Sequence, residues 1–263
     1  MKLTFWKYQG TGNDFIMVDN REKRFRHNRV RVLERLCDRR FGIGGDGIIF
    51  LENEEGYDFR MDYYNADGKP GSMCGNGGRC VVAFAHHLGI FQGETRFLAV
   101  DGEHAATINA DGNFVSLKMA DVSRLDQDGN AWILNTGSPH YVLETAEVVQ
   151  KDVAVEGRMI RNSPRYLQEG INVNFVQQEG RGYFVRTYER GVEDETYACG
   201  TGVTAVALAM AAKSGKRGEQ KTPIRVLGGK LSVRFFAGKK GYTDIYLEGP
   251  AERVYSGEID WPA

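Results

Sequence analysis

Net charge is almost absent from this sequence: 34 lysines and arginines stand against 35 aspartates and glutamates, leaving −1 at pH 7. The composition therefore offers no basic footprint for nucleic acid and no charged patch for a membrane surface. Long hydrophobic runs are missing too. No stretch approaches the roughly 18 uncharged apolar residues of a membrane span, and the longest run, 205–212, has only the length of a core helix. The opening Met1-Lys2-Leu3-Thr4-Phe5-Trp6-Lys7 lacks the apolar core of a secretory signal, so a cytoplasmic location is expected. Cysteine is scarce, with four residues at 37, 74, 80 and 199, no C-x-x-C pair and no Cys/His cluster of zinc-finger spacing. Neither a disulfide framework nor a metal site is expected. Proline is scarce as well, but glycine is not: 33 of 263 residues, against an average of about 7%. With six prolines and no G-X-Y period, that surplus belongs to tight turns and backbone-lined sites.

A chain of 263 residues makes one large domain or two modest ones, and an internal repeat favours two. Shifted by 125, Thr11-Gly12 superposes on Thr136-Gly137, Gly45 on Gly170, Phe59 on Phe184, Tyr63 on Tyr188, Cys74-Gly75 on Cys199-Gly200 and Gly77 on Gly202. The offset needs no gap. A duplicated α/β unit of about 120 residues follows, with the joint near 120–130, where Asp, Gln and Gly cluster.

Alternating segments rich in Val, Ile, Phe and Tyr predict strands over 15–18, 48–51, 114–117, 141–143, 173–176, 182–188, 231–236 and 244–247. Two helices are predicted at about 76–88 and 201–213, closed by left-handed caps at Gly89 and Gly215. The second is apolar almost all round and should be buried on most faces. An amphipathic helix is predicted from about Asn28 to Asp38. The simplest architecture is a helix enclosed by a curved sheet, repeated twice.

The repeat-related cysteines each sit in a glycine-rich turn just before a buried helix: Met73-Cys74-Gly75-Asn76-Gly77-Gly78 and Ala198-Cys199-Gly200-Thr201-Gly202. First-turn N–H groups are unsatisfied and carry positive potential, which binds carboxylates and favours thiolates. A lone cysteine in such a turn is more often a small buried hydrophobe. Two at equivalent positions suit the inversion of a stereocentre, which needs a base on one face and an acid on the other. A thiolate and a thiol can share those roles near pH 7, with the helix N-termini stabilising charge on the substrate carboxylate. This chemistry calls for no cofactor.

The residues also carry a resemblance. Gly10-Thr11-Gly12-Asn13-Asp14-Phe15, Asn65-Ala66-Asp67-Gly68 followed by Cys74-Gly75-Asn76-Gly77-Gly78-Arg79, and Tyr188-Glu189-Arg190-Gly191 followed by Ala198-Cys199-Gly200-Thr201-Gly202 closely resemble the diaminopimelate epimerase family over nearly the whole chain. The resemblance implies a cofactor-independent isomerase converting LL- to meso-diaminopimelate for lysine and peptidoglycan precursors. It implies an α/β (α+β) fold of two pseudo-twofold-related domains, each a barrel-like, mostly antiparallel sheet around a central helix. These would span 1–118, completed by the tail 251–263, and 119–250, with the active site in the cleft between them and a homodimer as the usual assembly. Cys74 and Cys199 would be the catalytic pair. Gly75, Asn76, Gly200 and Thr201 would donate to the reacting carboxylate, and Asn13, Asn65, Asn172 and Arg190 would hold the amino and distal carboxylate groups. Glu189 would sit beside an ammonium, and His140 would support the site. The chain departs from the family at Ser138, where Asn is frequent, at Gly47, where Gln is frequent, and at Lys69 and Thr201, where Ser is common.

Other readings of the same residues are weaker. Phe41-Gly42-Ile43-Gly44-Gly45-Asp46-Gly47 imitates a nucleotide-binding turn, but it precedes a strand and no G-K-[ST] occurs. Cys37 and Cys80 fall within helical patterns and read as core; His86 and His87 read as a helix end. Two alternatives of function stand beside the epimerase. One is a related two-thiol proline or hydroxyproline epimerase, whose pocket should be smaller and more apolar. The other is a non-catalytic thiol redox switch.

Overall fold

The computed structural model describes residues 2–26 and 29–260. The chain divides into two compact units, Met1–Leu117 with Pro250–Ala263, and Lys118–Gly249. The first unit contains β1 (Lys2–Gly10), β2 (Asn13–Asp19), α1 (Val30–Cys37), β3 (Gly47–Glu52), β4 (Phe59–Asn65), α2 (Gly75–His87), β5 (Glu94–Ala99), β6 (Gly102–Ile108) and β7 (Phe114–Lys118). The second contains β8 (Asp126–Asp128), β9 (Ala131–Asn135), β10 (Pro139–Glu144), α3 (Val153–Arg161), β11 (Asn172–Glu179) and β12 (Gly182–Glu189). It continues through β13 (Asp194–Thr196), α4 (Gly200–Ser214), β14 (Gly218–Val226), β15 (Gly229–Gly238) and β16 (Gly241–Pro250). Finally β17 (Glu252–Asp260) returns to pair antiparallel with β1. Asn28, the expected start of the amphipathic helix, and the last three residues of the expected tail lie outside the described residues.

Connection length decides strand direction. Strands joined by short turns run antiparallel, as β1/β2, β3/β4, β5/β6 and β6/β7 do in the first unit. Strands joined through a helix run parallel: β2/β3 across α1 and β4/β5 across α2. A parallel pair needs such a crossover. The second unit repeats the plan, with β10/β11 parallel across α3 and β12/β14 parallel across α4. The repeat extends to residue register. Phe15 pairs with Gly47, and adding 125 to each gives His140 and Asn172, which also pair.

The fold is a mixed, sheet-rich α+β arrangement with four α-helices among the described residues. The two-domain repeat is as expected, and the sheet is not closed. The parallel β4/β5 contact spans two residue pairs. Along β17, Glu252–Ser256 are all exposed.

In each unit the strands cover a central helix. Residues 75–85 of α2 are buried without exception, and α2 packs on β1, β2, β3, β6 and β17. In α4, Val203–Ala211 are buried against a shell that includes Val142, Val176, Val185, Val233, Phe235 and Leu247. The alanines of α4 let strands approach on every side, which is why its apolar character shows no single face. Both helices stop at glycines in the left-handed region, Gly89 at φ 71° and Gly215 at φ 66°, as expected from the sequence.

The glycine turn before β3 has a structural task. The N–H groups of Ile43 and Gly44 bond the Leu36 carbonyl and that of Gly45 bonds Cys37, so the turn caps the C-terminus of α1. Those donors are already committed, and the segment leads into a strand. Cys37 and Cys80 are buried, as expected.

Candidate active site

Cys74 and Cys199 are the N-cap residues of α2 and α4, with nearly identical extended backbones: φ −111°, ψ 123° and φ −117°, ψ 110°. Neither cap is closed by its own side chain, and all four cysteines are reduced. The cysteine carbonyls accept from Gly78 at 2.7 Å and from Val203 at 2.9 Å, starting each helix.

In the first unit the side chain of Asn13, at the start of β2, meets that turn. Its Oδ1 accepts from Asn76 Nδ2 at 3.3 Å and lies 3.6 Å from Cys74 Sγ. Its Nδ2 donates to Asp46 Oδ2 at 2.5 Å. Asp46 and Asp14 share Arg39, at 2.8 and 2.7 Å, and Asp14 also pairs with Lys7 at 2.7 Å. Burial opposes ionisation of Asp14, but hydrogen bonds and charge from Arg39 and Lys7 prevail and hold it down at about 2. Asn13 is thereby fixed from behind by an ion cluster. Asn65 ends β4, exposed, and opposes Gly47 across the β3/β4 ladder. Gly47 has a local reason: a Cβ there would stand 2.5 Å from both the Tyr63 ring and the Tyr64 carbonyl.

In the second unit Cys199 Sγ lies 3.4 Å from the Thr201 hydroxyl, while Thr136 Oγ1 donates to the Thr201 carbonyl at 2.8 Å. Gly200 begins α4, and its carbonyl accepts from Thr204 Oγ1 at 3.0 Å. Asn172 is buried, and both ends of its amide are engaged: Nδ2 on the Pro139 carbonyl at 3.2 Å, Oδ1 on the Arg190 N–H at 2.8 Å. Here it orients the Arg190 turn. The Arg190 side chain is exposed and donates to the Glu169 carbonyl at 2.8 Å, and among the described residues it pairs with no carboxylate. Glu189 accepts from Thr196 Oγ1 at 2.9 Å.

His140 is fully buried. Its Nδ1 receives a hydrogen bond from Asn174 Nδ2 at 3.1 Å, and Asn174 Oδ1 accepts from Thr187 at 3.0 Å. Asn174 Nδ2 also donates to the Tyr141 carbonyl. With Nδ1 accepting, the proton belongs on Nε2, which has no partner among the described residues. Burial, with the Arg190 charge second, pushes the imidazole down to about 3, so it is neutral near pH 7. Asn174 and Thr187 were not singled out from the sequence. The available signal is a polar residue inside the apolar run Val173-Asn174-Phe175-Val176.

Among the described residues no group of three or more His, Cys, Asp or Glu side chains is placed to hold a metal ion, and no helix is long and apolar enough to cross a membrane. A family model described as diaminopimelate epimerase matches residues 5–125 and 132–254. The chain belongs to the diaminopimelate epimerase family. It is 52% identical to a diaminopimelate epimerase of Flavobacterium psychrophilum over 98% of this chain and 100% of that one. Among solved structures it resembles a phenazine biosynthesis protein of the PhzF family from Bacillus anthracis, with a TM-score of 0.76, 13% identity, and coverage of 98% of this chain and 99% of that one. A hydroxyproline epimerase from Agrobacterium vitis superposes with a TM-score of 0.70 at 11% identity, covering 98% of this chain and 92% of that one. At such identities the two structures speak for the two-domain repeated fold alone. The name shared with the family's relatives is that of an isomerase-class epimerase.

Proposed function

We propose that this protein interconverts LL- and meso-diaminopimelate without a cofactor, using Cys74 and Cys199 as a thiolate–thiol pair. The observation that carries the reading is the equivalence of the two cysteines, each the N-cap of the buried helix of its own unit in the same backbone conformation. Family membership supplies the substrate. One thiolate removes the α-proton, and the electron pair left behind is delocalised into the α-carboxylate. First-turn donors of Gly75, Asn76, Gly200 and Thr201 stabilise that charge. The other thiol then delivers its proton to the opposite face, so one sulfur ends protonated and the other as thiolate.

Arg190 favours this substrate over proline or hydroxyproline. An exposed guanidinium that pairs with no carboxylate among the described residues suits a distal carboxylate, which it can bind bidentately, and cyclic imino acids have none. Asn172 would act through the Arg190 turn, with Glu189 near the distal ammonium and Asn13 and Asn65 at the polar groups. A cytoplasmic location and a homodimer belong to the same proposal.

The test is a chiral assay with LL-diaminopimelate in deuterated water, run on the wild type and on Cys74→Ala and Cys199→Ala. Conversion with deuterium at the α-carbon, abolished in either variant, is expected. Near-normal turnover in either alanine variant excludes the two-thiol mechanism, and turnover of hydroxyproline alone moves the substrate to the alternative.

A further inference from the structure

Glu193 closes the hairpin between β12 and β13 from the left-handed region, at φ 59°. Its N–H bonds the Glu189 carbonyl at 2.8 Å, so the loop 190–193 turns back on itself. That conformation is costly for a residue with a Cβ and free for glycine. The position 125 residues earlier is Gly68, also left-handed at φ 75°. There a Cβ would stand 2.2 Å from the Val30 carbonyl oxygen. The first unit fills the position with the residue the backbone prefers. The second carries a glutamate there, and its carboxylate makes contacts that no glycine could.

The carboxylate folds back over its own hairpin. Oε1 accepts from the Gly191 N–H at 3.1 Å and from Arg161 Nε at 3.1 Å, and Oε2 accepts from the Tyr188 hydroxyl at 3.2 Å. Burial opposes ionisation of Glu193, but the Gly191 N–H, Arg161 and Tyr188 together hold its carboxyl below the usual carboxylate range. Arg161 is the last residue of α3, and Gly157, one turn earlier, brings it within reach. A Cβ at Gly157 would lie 2.3 Å from Tyr188 Cβ, so only a glycine lets α3 sit this closely on β12.

These contacts converge on Arg190. Its own N–H goes to Asn172 Oδ1 at 2.8 Å and the next one, of Gly191, goes to Glu193, so side chains hold two consecutive amides of the turn. Its guanidinium is anchored on the Glu169 carbonyl at 2.8 Å, and Arg161 fixes the same segment through the Leu167 carbonyl at 3.2 Å. Both arginines lie against the bare face of Gly170, where a Cβ would stand 2.8 Å from Arg190 Cδ and 2.9 Å from Arg161 Nη2. Glu193 thus ties down both ends of Arg190, the backbone directly and the guanidinium by way of Arg161. Order that exists before a ligand arrives does not have to be supplied by binding.

We propose that Glu193 is a positioning residue that locks Arg190 in place for the distal carboxylate of the substrate. The inference rests on the role proposed for Arg190 above and adds what holds that residue ready. Because Glu193 acts through Arg190, its loss should weaken binding and spare the chemical step.

The test pairs steady-state kinetics on LL-diaminopimelate with amide hydrogen exchange at Gly191, read by NMR on the substrate-free protein. One variant is Glu193→Asn, which tolerates a left-handed backbone but lacks the reach and the charge. The other is Glu193→Gln, which keeps an oxygen for the Gly191 N–H. Glu193→Asn should raise KM roughly 3- to 10-fold, the cost of re-ordering a freed side chain, with kcat within about twofold of wild type. Glu193→Gln should raise KM less. The Gly191 amide should be protected in the wild type and exchange faster in Glu193→Asn. A wild-type KM in a Glu193→Asn protein with native circular dichroism overturns the proposal, as does a loss confined to kcat. A wild-type Gly191 amide that exchanges as fast as a free peptide overturns it too, and that result needs no variant to fold. If diaminopimelate is not turned over at all, the proposed substrate fails, while the exchange measurement still reads the lock on its own.

Discussion

The amide of Asn174 donates to Nδ1 of His140 at 3.1 Å, wholly inside the second unit. In the first unit the equivalent positions are Ile49 and Phe15, both buried and apolar. One half of the repeat thus holds a neutral imidazole where the other holds a benzyl ring, although the strands that carry them pair in the same register.

His140 should give stability a distinct pH dependence. Its folded value is about 3, against an ordinary 6.5, so between those limits the unfolded chain binds more protons. Stability from this group is therefore fully present above pH 6.5 and is lost as pH falls toward 3. His140→Phe should flatten that part of the profile. Urea unfolding of both proteins at several pH values measures it, and parallel profiles would show that His140 is not buried neutral.

Asn174→Leu should cost stability through two orphaned partners, His140 Nδ1 and the Thr187 hydroxyl. A buried group left unsatisfied costs about 1–3 kcal/mol. Nitrogen NMR of the imidazole should show the Nε2–H tautomer in the wild type and a mixture in the variant. An unchanged spectrum would remove Asn174 from the tautomer assignment.

Gly77→Ala and Gly202→Ala should differ although the positions are repeat equivalents. At 77 the new Cβ meets the Ile49 Cδ1 methyl at 3.2 Å, and at 202 it meets Asn174 Oδ1 at 2.4 Å. Replacing a helical glycine by alanine gains up to about 1 kcal/mol, enough to offset a displaced methyl. It does not offset a broken Thr187–Asn174 Oδ1 bond plus overpacking of about 1–3 kcal/mol. Thermal melts should rank Gly202→Ala well below Gly77→Ala, and equal melts would contradict the packing described.

Arg190→Met should weaken handling of diaminopimelate and leave the fold intact, since the side chain is exposed and gives up one protein contact, to the Glu169 carbonyl. A charge-assisted hydrogen bond is worth about 1.5–3 kcal/mol, so kcat/KM should fall roughly 10- to 150-fold. A wild-type value would place the distal carboxylate elsewhere.

Period and punctuation made much of this legible in advance. Both buried helices, their glycine stops, every predicted strand and the gap-free repeat follow from backbone preferences and apolar spacing, which act over a few residues. The glycine turn at 41–47 was legible by elimination, because it leads into a strand. Barrel closure was not legible, since it depends on how tilt and stagger accumulate around a whole sheet.

Sequence alone determined that two cysteines begin two buried helices at equivalent places, because local spacing and an exact offset suffice for that. It also placed the left-handed caps at Gly89 and Gly215. Tertiary structure decided how the two places differ. Arg79 is separated in sequence from Thr11 and Pro250, and His140 from Asn174 and Thr187, and only folding brings each set within hydrogen-bonding distance. Burial then fixes their charge, because the free energy of an ionised group depends on the medium around it and not on its neighbours in the chain.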